Sequence, residues 1–169
     1  LFLLFLGVPV GLRAESSDPY FTVLSSGVVH LKQGNAIEAM RLFQEALSKN
    51  PDGVEAHYYI GVTHAKEGRL IEAEEGFKNA KSRDPMFIPA HFDLGILYYK
   101  TGQNDEALHA FSQVEKMDPG RARAYYYQGL IFRRKGMPDE AAGKLKQAIS
   151  LDADLAPAGR YTIGAAYYE

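Results

Sequence analysis

Residues 102–119 read GQNDEALHAFSQVEKMDP, and the same pattern occurs twice before it in the chain. Residues 68–85 read GRLIEAEEGFKNAKSRDP, and residues 34–51 read GNAIEAMRLFQEALSKNP. The starts of successive segments are 34 residues apart. Glycine, alanine, phenylalanine and proline keep their places while most other residues change. A fixed period with changing residues indicates that one structural unit is repeated.

Four copies of the unit align on the same small and large residues. Each has a first glycine, a second glycine seven residues later, then an alanine, and then a large apolar residue four positions after the alanine. In chain order these are Gly27, Gly34, Ala39 and Phe43; Gly61, Gly68, Ala73 and Phe77; Gly95, Gly102, Ala107 and Phe111; and Gly129, Gly136, Ala141 and Leu145. The first three copies close with Pro51, Pro85 and Pro119, whereas the fourth has Ala153.

This spacing predicts a helix–turn–helix in each copy. The second glycine ends a first helix, because glycine readily adopts positive φ. A glutamate then falls in the first turn of the second helix, where it suits the helix dipole. The small first glycine and the alanine let the two helices approach closely. The residue before proline avoids the α region, so it ends the second helix, and stacked neighbours bury the apolar stripes.

The pattern resembles the tetratricopeptide repeat (TPR) family, which implies an all-α, right-handed α-solenoid of helix–turn–helix repeats. The resemblance covers four repeats and a partial fifth, at residues 20–53, 54–87, 88–121, 122–155 and 156–169. Departures are local. The leucine expected just before the first glycine is Ser26 in the first copy and Gln128 in the fourth.

In this family the first helix of each repeat lines a concave groove. Offsets around the first glycine then predict a groove with aromatic and aliphatic residues and a column of cations at one edge. The partner-binding candidates are Tyr58, Tyr59, Val62, Lys66, Phe92, Asp93, Ile96, Tyr99, Lys100, Tyr126, Tyr127, Leu130, Arg133 and Arg134. Such a surface suits a peptide or helix with apolar anchors and acidic flanks. A local explanation stays open, because tyrosines also pack within such repeats and cations favour helix ends.

One binding mode of this family, the clamp for acidic chaperone tails, is not predicted. The clamp needs lysine three residues before the first glycine and asparagine one residue after it. This chain has Leu24 and Val28, or Tyr58 and Val62, at those positions. A chaperone co-factor role is therefore disfavoured.

The sequence predicts no catalytic, metal or cofactor site. It has no cysteine, which excludes thiolate ligands, and it lacks the HExxH, GxSxG and phosphate-loop motifs. The pairs His57 and His91, and His30 and His64, occupy equivalent positions at which the family places packing aromatics, so we expect core packing rather than metal binding. A net charge of -2 gives no reason to expect nucleic-acid binding.

The first 14 residues, LFLLFLGVPVGLRA, form an apolar run that differs from the rest of the chain. A membrane span needs about 20 apolar residues, so this run is too short. It resembles the core of a secretory signal peptide with cleavage after Ala14, followed by a short linker at residues 15–19. We therefore expect export to the periplasm or cell envelope. If the run is instead a helix packing on the fold, the protein is cytoplasmic.

These observations predict a non-enzymatic protein–protein interaction scaffold of the bacterial cell envelope, without cofactor, nucleic acid or stable membrane span. An alternative is the N-terminal scaffold region of a larger protein with an enzymatic or envelope-assembly domain beyond residue 169. A third is self-association through open solenoid ends. Residues 156–169 read as part of a fifth repeat, with Ile163 and Tyr167 facing inward, and the chain does not begin with Met. We therefore expect that both natural ends are absent and that this end frays or self-associates.

Overall fold

The computed structural model of the protein describes residues 18–168. The predicted signal peptide and residues 15–17 of the predicted linker lie outside the described residues. Within residues 18–168 the structure contains nine α-helices and no strand, in agreement with the predicted all-α fold class. The helices are α1 (Pro19–Lys32), α2 (Ala36–Lys49), α3 (Val54–Lys66), α4 (Leu70–Arg83), α5 (Ile88–Lys100), α6 (Asn104–Met117), α7 (Ala122–Arg134), α8 (Pro138–Leu151) and α9 (Ala156–Tyr168).

The described residues form two compact units, which divide between Pro51 and Asp52. In the first unit, α1 packs against α2. In the second unit, α3 packs against α4, α5 against α6, and α7 against α8. Within the second unit, α4 also packs against α5, α6 against α7, and α8 against α9. The repeated element is therefore the helix–turn–helix that the sequence predicts.

The turn inside each helix pair is made by the second glycine, as predicted. Gly34, Gly68, Gly102 and Gly136 have φ values of 84°, 76°, 80° and 70°. A side chain is strained in this left-handed region, whereas glycine is not. The N–H of each of these glycines bonds a carbonyl of the preceding helix, for example that of Leu31 at 3.2 Å from Gly34.

The first glycine allows the close approach of paired helices that the sequence predicts. A Cβ built on Gly61 would lie 2.8 Å from Cδ1 of Phe77, and one built on Gly129 would lie 2.6 Å from Cγ of Leu145. Real Cβ atoms do not come so near, so only glycine fits without movement of the facing side chain. The facing large residues and the alanines of the second helices are buried.

The second helices end at an asparagine or aspartate in a conformation outside the α region, as predicted for the residue before proline. The fourth repeat ends in the same way at Asp152, although no proline follows it. The carboxylate of Asp152 accepts a hydrogen bond from the backbone N–H of Asp154 at 3.0 Å. Asp84 and Asp118 bond the backbone two residues on in the same manner. The aspartate side chain thus turns the chain where proline is missing.

Gln128, which replaces the expected leucine, is buried inside the second unit. Its side-chain amide donates to Glu115 of α6 at 3.0 Å, and Lys144 of α8 donates to the same carboxylate at 2.8 Å. Burial raises the pKa of Glu115, but the hydrogen bonds from Lys144 and Gln128 outweigh it and leave that pKa below its usual value. A polar link between α6, α7 and α8 therefore takes the place of an apolar contact.

Helix α9 packs on α8. Thr162 is buried and Ile163 is partly buried. Tyr167 was predicted to face inward, but it is exposed, and its hydroxyl donates a hydrogen bond to the Asp139 carboxylate at 2.8 Å. Gly159 lies close to α8, because a Cβ there would be 2.8 Å from Cδ1 of Ile149. Helix α9 therefore occupies the position of the first helix of a fifth repeat.

Candidate functional site

All the partner-binding candidates lie on α3, α5 and α7, the first helices of the three repeats in the second unit. The helices hold them at the same offsets from Gly61, Gly95 and Gly129. Their surroundings nevertheless differ, because some are enclosed by the repeat and others remain partly exposed.

Two candidates are enclosed on α3. Tyr59 is 5% exposed and Val62 is 2% exposed. Their burial leaves little side chain for a ligand to contact. Tyr127 of α7 also contributes to packing, because its ring stacks on that of Phe111 with centroids 5.2 Å apart and an interplanar angle of 4°.

A hydrogen bond joins two other candidates across neighbouring repeats. The Tyr58 hydroxyl of α3 donates to Asp93 of α5 at 2.8 Å. Burial raises the pKa of Asp93 to about 6, although the Tyr58 bond and the charges of Lys100, Arg123 and Arg121 oppose that rise. Asp93 is therefore mostly ionised at neutral pH and mostly neutral near pH 5.

The predicted column of cations is partly engaged within the protein. The Arg134 guanidinium lies over the Tyr99 ring at 4.1 Å and donates to the Tyr99 carbonyl at 2.8 Å and to Asn104 at 3.3 Å. Lys100 is close enough to Asp93 to oppose the rise in its pKa. Lys66 is exposed at the end of α3 and also interacts with other groups of the protein.

Partly exposed apolar side chains remain on α5 and α7. Phe92 packs edge-on against Tyr127 with centroids 6.0 Å apart, and Tyr126 packs edge-on against Tyr127 at 6.1 Å. Ile96 and Leu130 lie one helical turn further along at equivalent positions. We call Phe92, Ile96, Tyr126 and Leu130 the first-helix face.

Helix α7 adds a residue that the sequence prediction missed. Arg123, Tyr126, Leu130 and Arg133 follow the spacing i, i+3, i+7 and i+10, which places them on one side of a helix. All four are partly exposed, and we call them the α7 stripe. Arg123 was missed because the groove was predicted only from three residues before the first glycine onward. Extending the helical period one turn toward the N-terminus would have found it.

Of the two histidine pairs predicted to pack, His57 and His91 lie on α3 and α5, and His30 and His64, both partly buried, lie on α1 and α3. His91 is buried, and its Nε2 forms a hydrogen bond with the Pro85 carbonyl at 2.9 Å. Burial lowers the pKa of His91, and His57 is partly buried. In the part of the chain that the structure describes, no cluster of three or more potential metal ligands is present. Over the same residues, no helix combines the length and apolar character needed to cross a bilayer.

Comparisons with known proteins identify the repeat. The family model described as "Tetratricopeptide repeat" matches residues 24–85 and 92–159. No match is found among curated proteins.

Solved structures resemble this fold over most of its length. The crystal structure of MamA superposes with a TM-score of 0.74 at 24% identity, covering 83% of this chain and 82% of that chain. TTC0263, a thermophilic TPR protein of Thermus thermophilus, has a TM-score of 0.67 at 27% identity, covering 88% and 81%. YrrB, described as a TPR protein with an unusual peptide-binding site, has a TM-score of 0.72 at 26% identity, covering 86% and 76%.

Proposed function

The chain belongs to the tetratricopeptide repeat family, and from that premise we propose that its first-helix face binds a peptide segment of a partner protein in the bacterial cell envelope. The family fold makes the chain a protein-interaction scaffold. The observation that carries the proposal is the partial exposure of apolar side chains at equivalent positions of α5 and α7. Burying them against a ligand would contribute about 25 cal/mol for each Å² removed from water.

Two further observations support a peptide as the ligand. Aromatic side chains such as Phe92 and Tyr126 are common anchors in protein interfaces because they bury a large area with few rotatable bonds. YrrB, which resembles this chain at 26% identity, is described as having a peptide-binding site.

The binding proposal is tested with the full chain as bait in an envelope extract. Tyr126→Ala with Leu130→Ala should lose the captured partner, because both changes remove apolar surface from the first-helix face. Leu151→Ala with Tyr161→Ala is the matched control, since both residues are exposed elsewhere in the second unit. Circular dichroism should show equal helicity in both variants. Equal capture by both variants would rule out the first-helix face.

The proposed location rests on the apolar run at residues 1–14, which lies outside the described residues. Residues 1–20 with a basic leader added are fused to a reporter that is active only outside the cytoplasm. We expect reporter activity and a mature chain that begins near Glu15. An uncleaved product that stays in the cytoplasm would contradict export without affecting the proposal of peptide binding.

A further inference from the structure

We infer that the α7 stripe binds an extended peptide segment in which one apolar side chain has an acidic residue on each side of it. The inference rests on the proposed function, because it specifies the ligand of the same face.

The order of residues along α7 is the first argument. Arg123 and Arg133 lie at the two ends of the stripe, and Tyr126 and Leu130 lie between them. The two arginines are ten positions apart, which corresponds to about 15 Å along a helix axis. An apolar side chain seated between them therefore has a guanidinium within reach on either side.

The second argument is that neither of these two guanidiniums forms an ion pair with a carboxylate of the described residues. Neither Arg123 nor Arg133 forms an ion pair within residues 18–167, although Arg123 bonds the Tyr127 hydroxyl and its charge acts to lower the pKa of Asp93. Two neighbouring cations do form ion pairs, Lys135 with Asp105 at 2.6 Å and Arg121 with Asp118 at 3.0 Å, and Arg134 is bonded to the Tyr99 carbonyl and to Asn104. The guanidiniums at the two ends of the stripe are therefore able to form ion pairs with carboxylates of a ligand.

The chemistry of the side chains gives the class of ligand group. Arginine presents a planar set of donors that matches a carboxylate in two-point contact. Asp93, the acidic group near Arg123, is turned toward the Tyr58 hydroxyl and so is already engaged. Excess positive charge at the ends and apolar surface between them complement a segment with the reverse arrangement.

Three labelled peptides of equal length test this inference against the full chain. Each contains one leucine anchor, flanked by glutamate on both sides, by glutamate on one side and glutamine on the other, or by glutamine on both sides. Fluorescence anisotropy should give the highest affinity for the doubly acidic peptide. Each glutamate should strengthen binding roughly threefold to fivefold, as expected for a partly exposed ion pair.

Substitutions then locate the effect. Arg123→Gln and Arg133→Gln should each remove the gain in affinity that comes from one of the two glutamates. The double variant should bind all three peptides alike. The control Arg69→Gln with Arg160→Gln removes the same net charge from exposed positions away from the stripe and should keep the full preference. The Arg133 side chain makes no hydrogen bond or ion pair within residues 18–167, so Arg133→Glu should fold normally and favour a lysine-flanked peptide.

The outcomes separate this inference from the proposed function. If the glutamine peptide binds as tightly as the doubly acidic one, the inference fails while peptide binding stands. If the control variant loses the preference equally, the effect comes from net charge and the inference fails. If no peptide binds, both fall. Displacement of the bound acidic peptide by an equimolar single-stranded oligonucleotide would overturn the inference in favour of a general anion site.

Discussion

The interior of the helix pairs and the α7 stripe use the same first helices in different ways. In the interior, Gly95 meets Phe111 and Gly129 meets Leu145, so the same type of contact recurs from repeat to repeat. On the stripe, the positions of Arg123 and Arg133 are held by other residues in the neighbouring repeats. The equivalents of Arg123 and Arg133 are Glu55 and Ala65 on α3, and Pro89 and Tyr99 on α5.

This difference separates stability from recognition on a single helix. A contact that every repeat must make restricts a position to glycine or a large apolar residue, because helix packing tolerates little change in volume. A position that faces away from the paired helix is free to carry any charge. The features that distinguish one repeat from another are therefore where the ligand preference should reside.

The largest expected loss of stability comes from a substitution in the interior of the helix pairs. Phe111 is completely buried, between Gly95 and the rings of Phe92 and Tyr127. Phe111→Ala should lower the free energy of unfolding by about 3–5 kcal/mol, because it leaves a cavity between packed helices. Urea unfolding monitored by circular dichroism measures the change.

The control for this prediction is Tyr161→Ala, since Tyr161 is 76% exposed. This control should change the free energy of unfolding by no more than about 0.5 kcal/mol. A similar loss in both variants would show that the interior contact is no more important than the surface.

A pair of glycine substitutions should have opposite signs. Gly95→Ala places a Cβ 2.8 Å from the Phe111 ring, so it should destabilise by about 1–3 kcal/mol. Gly143 of α8 is exposed, and a Cβ there meets nothing within 4 Å. Gly143→Ala should therefore stabilise by about 0.5–1 kcal/mol, as alanine does inside a helix.

Thermal unfolding of the two variants beside the parent chain checks these signs. Destabilisation by Gly143→Ala would mean that helix propensity does not decide at that position. An unchanged melting temperature for Gly95→Ala would mean that Phe111 moves aside at little cost.

Features repeated along the chain could be predicted from the sequence. Gly34 and its equivalents have the positive φ that their place after a helix demands, and Glu38 and its equivalents fall in the first turn of a second helix. These features depend on a few adjacent residues, so four copies of the pattern were enough to establish them.

Contacts between helices of different repeats could not be predicted in this way. The bond from Tyr58 to Asp93 and the link from Gln128 to Glu115 depend on how two helices are rotated against each other. The period of the sequence does not contain that rotation. For the same reason, Tyr59 was predicted to be groove surface although the structure encloses it.

A smaller effect is expected at Asp93 of α5, which accepts the hydrogen bond from Tyr58. The pKa of its carboxyl group in the folded protein, about 6, is above the value of 3.8 for an unperturbed aspartate. The folded state therefore holds the proton more tightly, and its stability falls as pH rises from about 4 through 6. Asparagine does not ionise, so the stability of the Asp93→Asn variant does not fall over this pH range. The variant should be more stable than the parent at pH 7 by about 1–2 kcal/mol.

The pH dependence identifies the cause of this effect. The difference between Asp93→Asn and the parent should shrink toward pH 4 and disappear below the unperturbed pKa of 3.8, where the carboxyl of the parent is largely neutral in both states. The groups that act on it are Tyr58 on α3, Lys100 on α5, and Arg121 and Arg123 at the start of α7. A constant difference from pH 4 to 7 would assign the effect to packing.

The smallest expected change in stability is on the stripe. Tyr126 is partly exposed and its ring packs edge-on against Tyr127, so Tyr126→Ala should cost only about 0.5 kcal/mol of unfolding free energy. The next residue, Tyr127, stacks on Phe111, and Tyr127→Ala should cost several times more. Binding of the doubly acidic peptide should nevertheless weaken about tenfold or more in Tyr126→Ala, as for an aromatic anchor at an interface. Urea unfolding and anisotropy on the same samples measure both quantities. If Tyr126→Ala loses stability and affinity in proportion, the stripe is part of the packed interior and the two regions are not separate.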